Sequence, residues 1–61
     1  MRLKELRKVR GVTQAEVAYA INCSPTTYAK YERGEREPDN ATLRQLSKYF
    51  GVSIDHILCN D

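Results

Sequence analysis

The 61-residue chain is 30% charged and 41% hydrophobic, a balance that suits one globular domain over residues 1–61 and excludes disorder. Two distant cysteines are too few for a disulfide scaffold and read as reduced thiols of a cytosolic protein; no apolar run approaches the roughly 18 residues of a membrane span, and the charged N-terminus lacks a secretory pattern. The net charge of +2 is uneven: Arg2, Lys4, Arg7, Lys8 and Arg10 against Glu5 give +4 over the first ten residues and leave −2 for the rest, so the first segment leans toward a polyanion.

Punctuation along the chain predicts five helices, at about 2–10, 14–21, 25–33, 40–50 and 54–58. The first, "LKELRKVR", carries Leu3 and Leu6 on one face and stops at Gly11, with Val12 following as a Schellman-type end favours. The second opens on Thr13 with Glu16 three residues on, a capping box, and lines Val17, Ala18 and Ile21. The third has Ser24 as cap, Pro25 in the first helical position and Gly34 at its end. The fourth follows Asp39, carries Leu43, Leu46 and Phe50, and stops at Gly51. The fifth, "IDHIL" after Ser53, has Ile54, Ile57 and Leu58. No segment alternates with period two, so no strand is expected, and the short connections call for a compact all-α, five-helix bundle.

The second and third helices are joined by "NCS", a turn of helix-turn-helix length. Ala18 is small where a crossing helix must come close, Asn22 suits the left-handed conformation such a turn needs, and Cys23 fills an apolar slot. Helical spacing turns Tyr28 and Tyr31 inward with Val17 and Ile21. Pro25, Thr26, Ala29, Lys30 and Arg33 remain on the outer face, which holds cations and small polar groups and no carboxylate. Tyr19 and Tyr49 are expected to be partly exposed, His56 to lie on the surface and Cys59 to be an exposed thiol.

In order and spacing, "LKELR", "TQAEVA", "SPTTYAKYERG", "REP" and "LSKYFGVSIDHIL" resemble the Cro and phage-repressor type of helix-turn-helix, the XRE family of bacterial regulators. The resemblance covers nearly the whole chain. It implies that helix three enters the DNA major groove while helix two crosses the backbone. It implies base contacts from Pro25, Thr26 and Lys30, phosphate contacts from Gln14, Thr27, Arg33 and Arg36, and a buried ion pair between Arg7 and Glu32. The chain departs from the family pattern at Asn22, where glycine is usual, at Tyr28, where Ile or Val is more common, and at Glu35, where a basic residue is frequent. Glu35, Glu37 and Asp39 set acid beside the expected phosphate path and imply modest non-specific affinity.

The resulting expectation is a cytoplasmic, nucleoid-associated transcription regulator, bacterial or phage-encoded and a repressor. It would act as a homodimer on double-stranded DNA with a palindromic operator. Ile54, Ile57 and Leu58 are more apolar surface than so short a helix needs to dock, and supply the expected dimer interface. The alternative is a protein-interaction module such as an antitoxin component. An enzyme is not expected: there is no paired-carboxylate site, no nucleophile with a partnering base, and little chain from which to build a pocket. No cofactor, membrane or small-molecule substrate is implied, and two distant cysteines with His56 do not make a metal site.

Overall fold

A computed structural model describes residues 1–58; the thiol expected at Cys59 lies outside the described residues. Five helices follow one another: α1 (Leu3–Arg10), α2 (Gln14–Ala20), α3 (Pro25–Arg33), α4 (Asn40–Phe50) and α5 (Ile54–Leu58), with no strand among the described residues. Two ends differ from the sequence reading by one residue. Arg2 stands just ahead of α1, where its carbonyl accepts from the Leu6 N–H at 3.0 Å while its own N–H donates to the Ile57 carbonyl at 2.9 Å. Ile21 leaves the helical region at the end of α2 but still bonds back to Val17 and Ala18.

The local start signals act as their chemistry dictates. The Thr13 hydroxyl accepts from the Glu16 N–H at 3.1 Å and the Glu16 carboxylate accepts from the Thr13 N–H at 3.2 Å, so both halves of the capping box are made. The Asp39 carboxylate accepts from the Thr42 N–H at 2.8 Å and opens α4. That hydrogen bond is the main reason the Asp39 carboxyl lies below its ordinary range.

Between α2 and α3, Asn22 has a φ of 58°, the left-handed conformation otherwise kept by glycines among the described residues. The reversal lets the Cys23 N–H reach the Ala18 carbonyl at 2.9 Å, closing the turn. Cys23 is half-buried against the core rather than enclosed in it, and its thiol points to the Ser24 carbonyl at 3.2 Å. Ala18 is fully buried where the two helices meet. The core joins all five helices through Leu3, Val17, Ala18, Ile21, Tyr28, Tyr31, Leu43, Leu46, Phe50 and Ile57. Leu6, Val12, Val52 and Ile54 pack against its edge.

One expectation is corrected here. Ile57, assigned from sequence to a dimer interface, has no exposed surface: it is a core residue of the single chain. Its neighbours on α5 differ, with Ile54 half-buried and Leu58 42% exposed.

Candidate nucleic-acid interface

The third helix is fixed from its inner side. Tyr28 and Tyr31 are buried in the core, as their spacing predicts. On the opposite side Thr26, Lys30 and Arg33 are exposed, with Pro25 and Ala29 half-buried next to them. At its start the Ser24 hydroxyl accepts from the Thr27 N–H at 3.1 Å and donates to the Thr27 hydroxyl at 3.0 Å. Thr27 is therefore part of the helix start, with its own hydroxyl proton left to serve an incoming acceptor. Ser24→Ala should remove this cap and cost about 1 kcal/mol. In a domain this small that lowers Tm by roughly 4–8 °C, which a thermal melt followed by circular dichroism would register. An unchanged melt would mean the cap does not hold α3.

Glu32, on the flank of α3, ties three helices together. The Arg7 guanidinium donates to it through Nε at 2.7 Å and through Nη2 at 3.3 Å, and sends Nη1 to the Val12 carbonyl at 3.3 Å. The Gln14 side chain, at the first position of α2, donates Nε2–H to the same carboxylate at 3.0 Å. Glu32 keeps 3% side-chain exposure and Arg7 16%, so the pair expected from the sequence is indeed largely buried. Burial is the strongest single influence on the Glu32 carboxyl and pushes it up. The hydrogen bonds from Arg7 and Gln14, with the nearby Tyr28 hydroxyl, together outweigh it and leave the carboxyl below its ordinary range. The Tyr28 hydroxyl is buried next to this charge without a well-formed hydrogen-bond partner among the described residues, and burial, followed by its close approach to the Glu32 carboxylate and then that group's charge, drives it far above the usual phenol range.

The cations are distributed less freely than the sequence suggests. Arg7 turns inward to Glu32. Arg10 leaves the basic face of α1 to donate to the Tyr49 carbonyl on α4, with its guanidinium carbon 4.8 Å from the Tyr49 ring centre. That contact spans 39 positions of sequence and no local pattern signals it. Lys4 and Lys8 stay exposed. Lys4 lines an open cleft between α1, the start of α2 and α3, together with Gln14, Pro25 and Arg33. In the sequence Lys4 is one member of a basic run, and its position one helical turn before Arg7 is the signal that places it at this cleft. Arg36 is exposed on the loop after α3 and has no ion-pair partner among the described residues. Arg33 is paired: its guanidinium meets Glu35. Of the acidic residues expected to oppose phosphate, all three are exposed, but Glu35 is engaged by Arg33 and Asp39 caps α4, which leaves Glu37 without an ion-pair partner among the described residues.

A two-helix unit with a four-residue connection, Ile21 to Ser24, a left-handed residue inside it and a capped, outward-facing second helix is the helix-turn-helix arrangement. A profile of the helix-turn-helix family matches residues 3–57. The chain belongs to the XRE-type helix-turn-helix family. It is 43% identical over 60 residues to the HTH-type transcriptional regulator ImmR of Bacillus subtilis, covering 98% of this chain and 47% of that protein. It is 42% identical over 57 residues to YonR, an uncharacterised HTH-type transcriptional regulator derived from the SPbeta prophage of Bacillus subtilis, covering 93% of this chain and 53% of the relative. It is 35% identical over 57 residues to the transcriptional repressor RstR of the cryptic phage CTXphi of Vibrio cholerae, covering 93% and 51%. The chain spans about half the length of these relatives. No solved structure matches it. These relatives are named as transcription regulators, and no helix among the described residues of this chain is long and apolar enough to cross a membrane.

Proposed function

We propose that the protein represses transcription by binding double-stranded DNA sequence-specifically, with α3 in the major groove. It acts as a homodimer on a palindromic operator, in the bacterial cytoplasm and at the nucleoid. The observation that carries this reading is the division of α3: Tyr28 and Tyr31 are locked into the core while Thr26, Lys30 and Arg33 face outward on the same helix. The name of the CTXphi relative supports repression.

Within this reading Pro25, Thr26 and Lys30 meet base edges. Pro25 has no donor and offers shape or apolar contact to a thymine methyl. The Thr26 hydroxyl donates or accepts and its methyl can meet thymine. Lys30, one turn further along, donates to the O6 and N7 of guanine. Gln14, Thr27, Arg33 and Arg36 meet phosphate. Gln14 is held by Glu32 at the N-terminus of α2, with the second hydrogen of its amide left for a backbone oxygen.

Selection of bound sequences from a random duplex pool tests the class: enrichment of a palindrome supports the reading, and no enrichment with no salt-sensitive binding sinks it in favour of a protein-interaction module. The individual roles separate on the selected operator. Lys30→Ala should cost about 1–3 kcal/mol there and relax preference at one base pair. Arg36→Ala should weaken operator and scrambled DNA alike and flatten the salt slope by about one unit. If neither Lys30→Ala nor Thr26→Ala changes the operator-to-scrambled ratio, α3 is not the recognition helix.

A further inference from the structure

Arg33 stands on the ridge between two clefts. One is lined by Lys4, Gln14 and Pro25, the other by Arg36 and Glu37. It is the last cation of α3, and its guanidinium is already occupied. Nε donates to one Glu35 oxygen at 2.5 Å, and Nη2 reaches the other at 3.4 Å. Both side chains are 54% exposed, so this pair lies on the surface that the proposed duplex would meet.

We propose that Glu35 is an autoinhibitory residue of the DNA-binding face: its carboxylate masks the Arg33 guanidinium, and a DNA phosphate engages Arg33 only by displacing it. The inference rests on the DNA-binding reading above and deepens it.

The backbone makes the mask local and persistent. Gly34 has a φ of 77°, and the chain folds back so that the Glu35 N–H bonds to the Lys30 carbonyl at 2.9 Å. That bond fixes Glu35 over the last turn of α3, two residues from the guanidinium it serves. A carboxylate so tethered competes with phosphate at high effective concentration. Arg33, and more weakly Lys30, hold the Glu35 carboxyl below its ordinary range, so it is charged at neutral pH. A solvent-exposed pair is individually weak. It therefore yields to a phosphate that a docked duplex holds against it, at a cost in affinity. A neutralised Arg33 also adds little to the salt dependence, since that slope follows the number of phosphates the protein's free cations neutralise.

The test is a double-mutant cycle of Glu35→Gln and Arg33→Ala, read as affinity for a random-sequence duplex and for the selected operator across roughly 50–200 mM salt. With Arg33 present, Glu35→Gln should tighten binding to both duplexes roughly two- to fivefold and steepen the salt slope by about one unit. In the Arg33→Ala background only relief of distant repulsion remains, and the gain should shrink toward that of Glu37→Gln, a nearby exposed carboxylate with no ion-pair partner among the described residues. Equal gains in the two Arg33 backgrounds overturn the proposal. A second readout needs no DNA. The Arg33 Nε–Hε resonance of the free protein should move on Glu35→Gln, and an unmoved resonance overturns the mask directly. A moved resonance with no duplex bound by any variant instead overturns the DNA-binding reading, and this proposal with it.

Discussion

Glu32→Ala should come close to abolishing folding. The substitution strands the Arg7 guanidinium at 16% exposure and leaves the Gln14 amide without its acceptor. Breaking a buried pair from one side costs about 3–5 kcal/mol, and the lower figure suits a guanidinium that still reaches water. A domain of this size has only about 3–9 kcal/mol to lose. A loss of about 3 kcal/mol corresponds to a fall in Tm of roughly 12–24 °C for so short a chain. Differential scanning calorimetry or a circular-dichroism melt checks it, and a variant melting within a degree or two of wild type would mean that Glu32 does not tie α1 and α2 to α3.

The same pair sets an acid limit. The Glu32 carboxyl is lowered in the folded protein relative to its ordinary value of 4.5, so the unfolded chain takes up the proton first as pH falls. The contribution of the pair is therefore complete above the ordinary value and is lost progressively as pH drops through the folded one. Glu32→Gln keeps the shape and removes the charge. It should melt lower than wild type at neutral pH and flatten the part of the stability-against-pH curve below about pH 5. Equal acid slopes in the two proteins would assign the acid sensitivity elsewhere, with Glu35 and the Asp39 cap as the other carboxylates held low in the folded state.

The elements were legible because each is written in local chemistry. Thr13 with Glu16, Ser24 with Thr27, and Asp39 with Thr42 make their capping contacts within three residues, and Gly11, Gly34 and Gly51 carry the positive φ that ends a helix. Tyr28 and Tyr31 sit three positions apart on a nine-residue helix, long enough for periodicity to choose a face. The ion pair of Arg7 and Glu32 was legible only through the family pattern, since 25 positions separate its members. What the sequence hid depends on side chains choosing among partners. Arg33 faces outward as its spacing says, but nothing in the spacing tells that the residue after the helix stop folds back onto it. Arg10 reads as one more basic residue of a charged helix until the fold brings Tyr49 beneath it. Gln14 reads as a phosphate contact, and nothing local shows that Glu32 of α3 holds its amide.

The fifth helix was misread for a geometric reason, and a pair of substitutions makes the difference measurable. Ile54–Leu58 is under one and a half turns, too short for a periodic pattern to separate an inner from an outer residue. Ile57 is fully buried in the core, and its carbonyl receives the Arg2 N–H that fastens the start of the chain to α5. Ile57→Asp removes a packed side chain, at about 2–5 kcal/mol for the lost volume, and adds the desolvation of a carboxylate with no partner. The total exceeds what this domain has to lose. Ile57→Asp should be unfolded at room temperature by circular dichroism, whatever the oligomeric state. Leu58, 42% exposed, tests the proposed dimer instead. Leu58→Asp should stay folded, with a melt near that of wild type, and shift sedimentation from dimer to monomer. Its operator affinity should then fall toward that of one half-site, because two copies of α3 spaced about 34 Å apart act together only when the dimer holds. Val9→Asp, at a position 89% exposed on α1, should change neither melt nor sedimentation. A wild type that sediments as a monomer both free and on DNA removes the dimer. A dimer broken by Val9→Asp and left intact by Leu58→Asp moves the interface from α5 to α1.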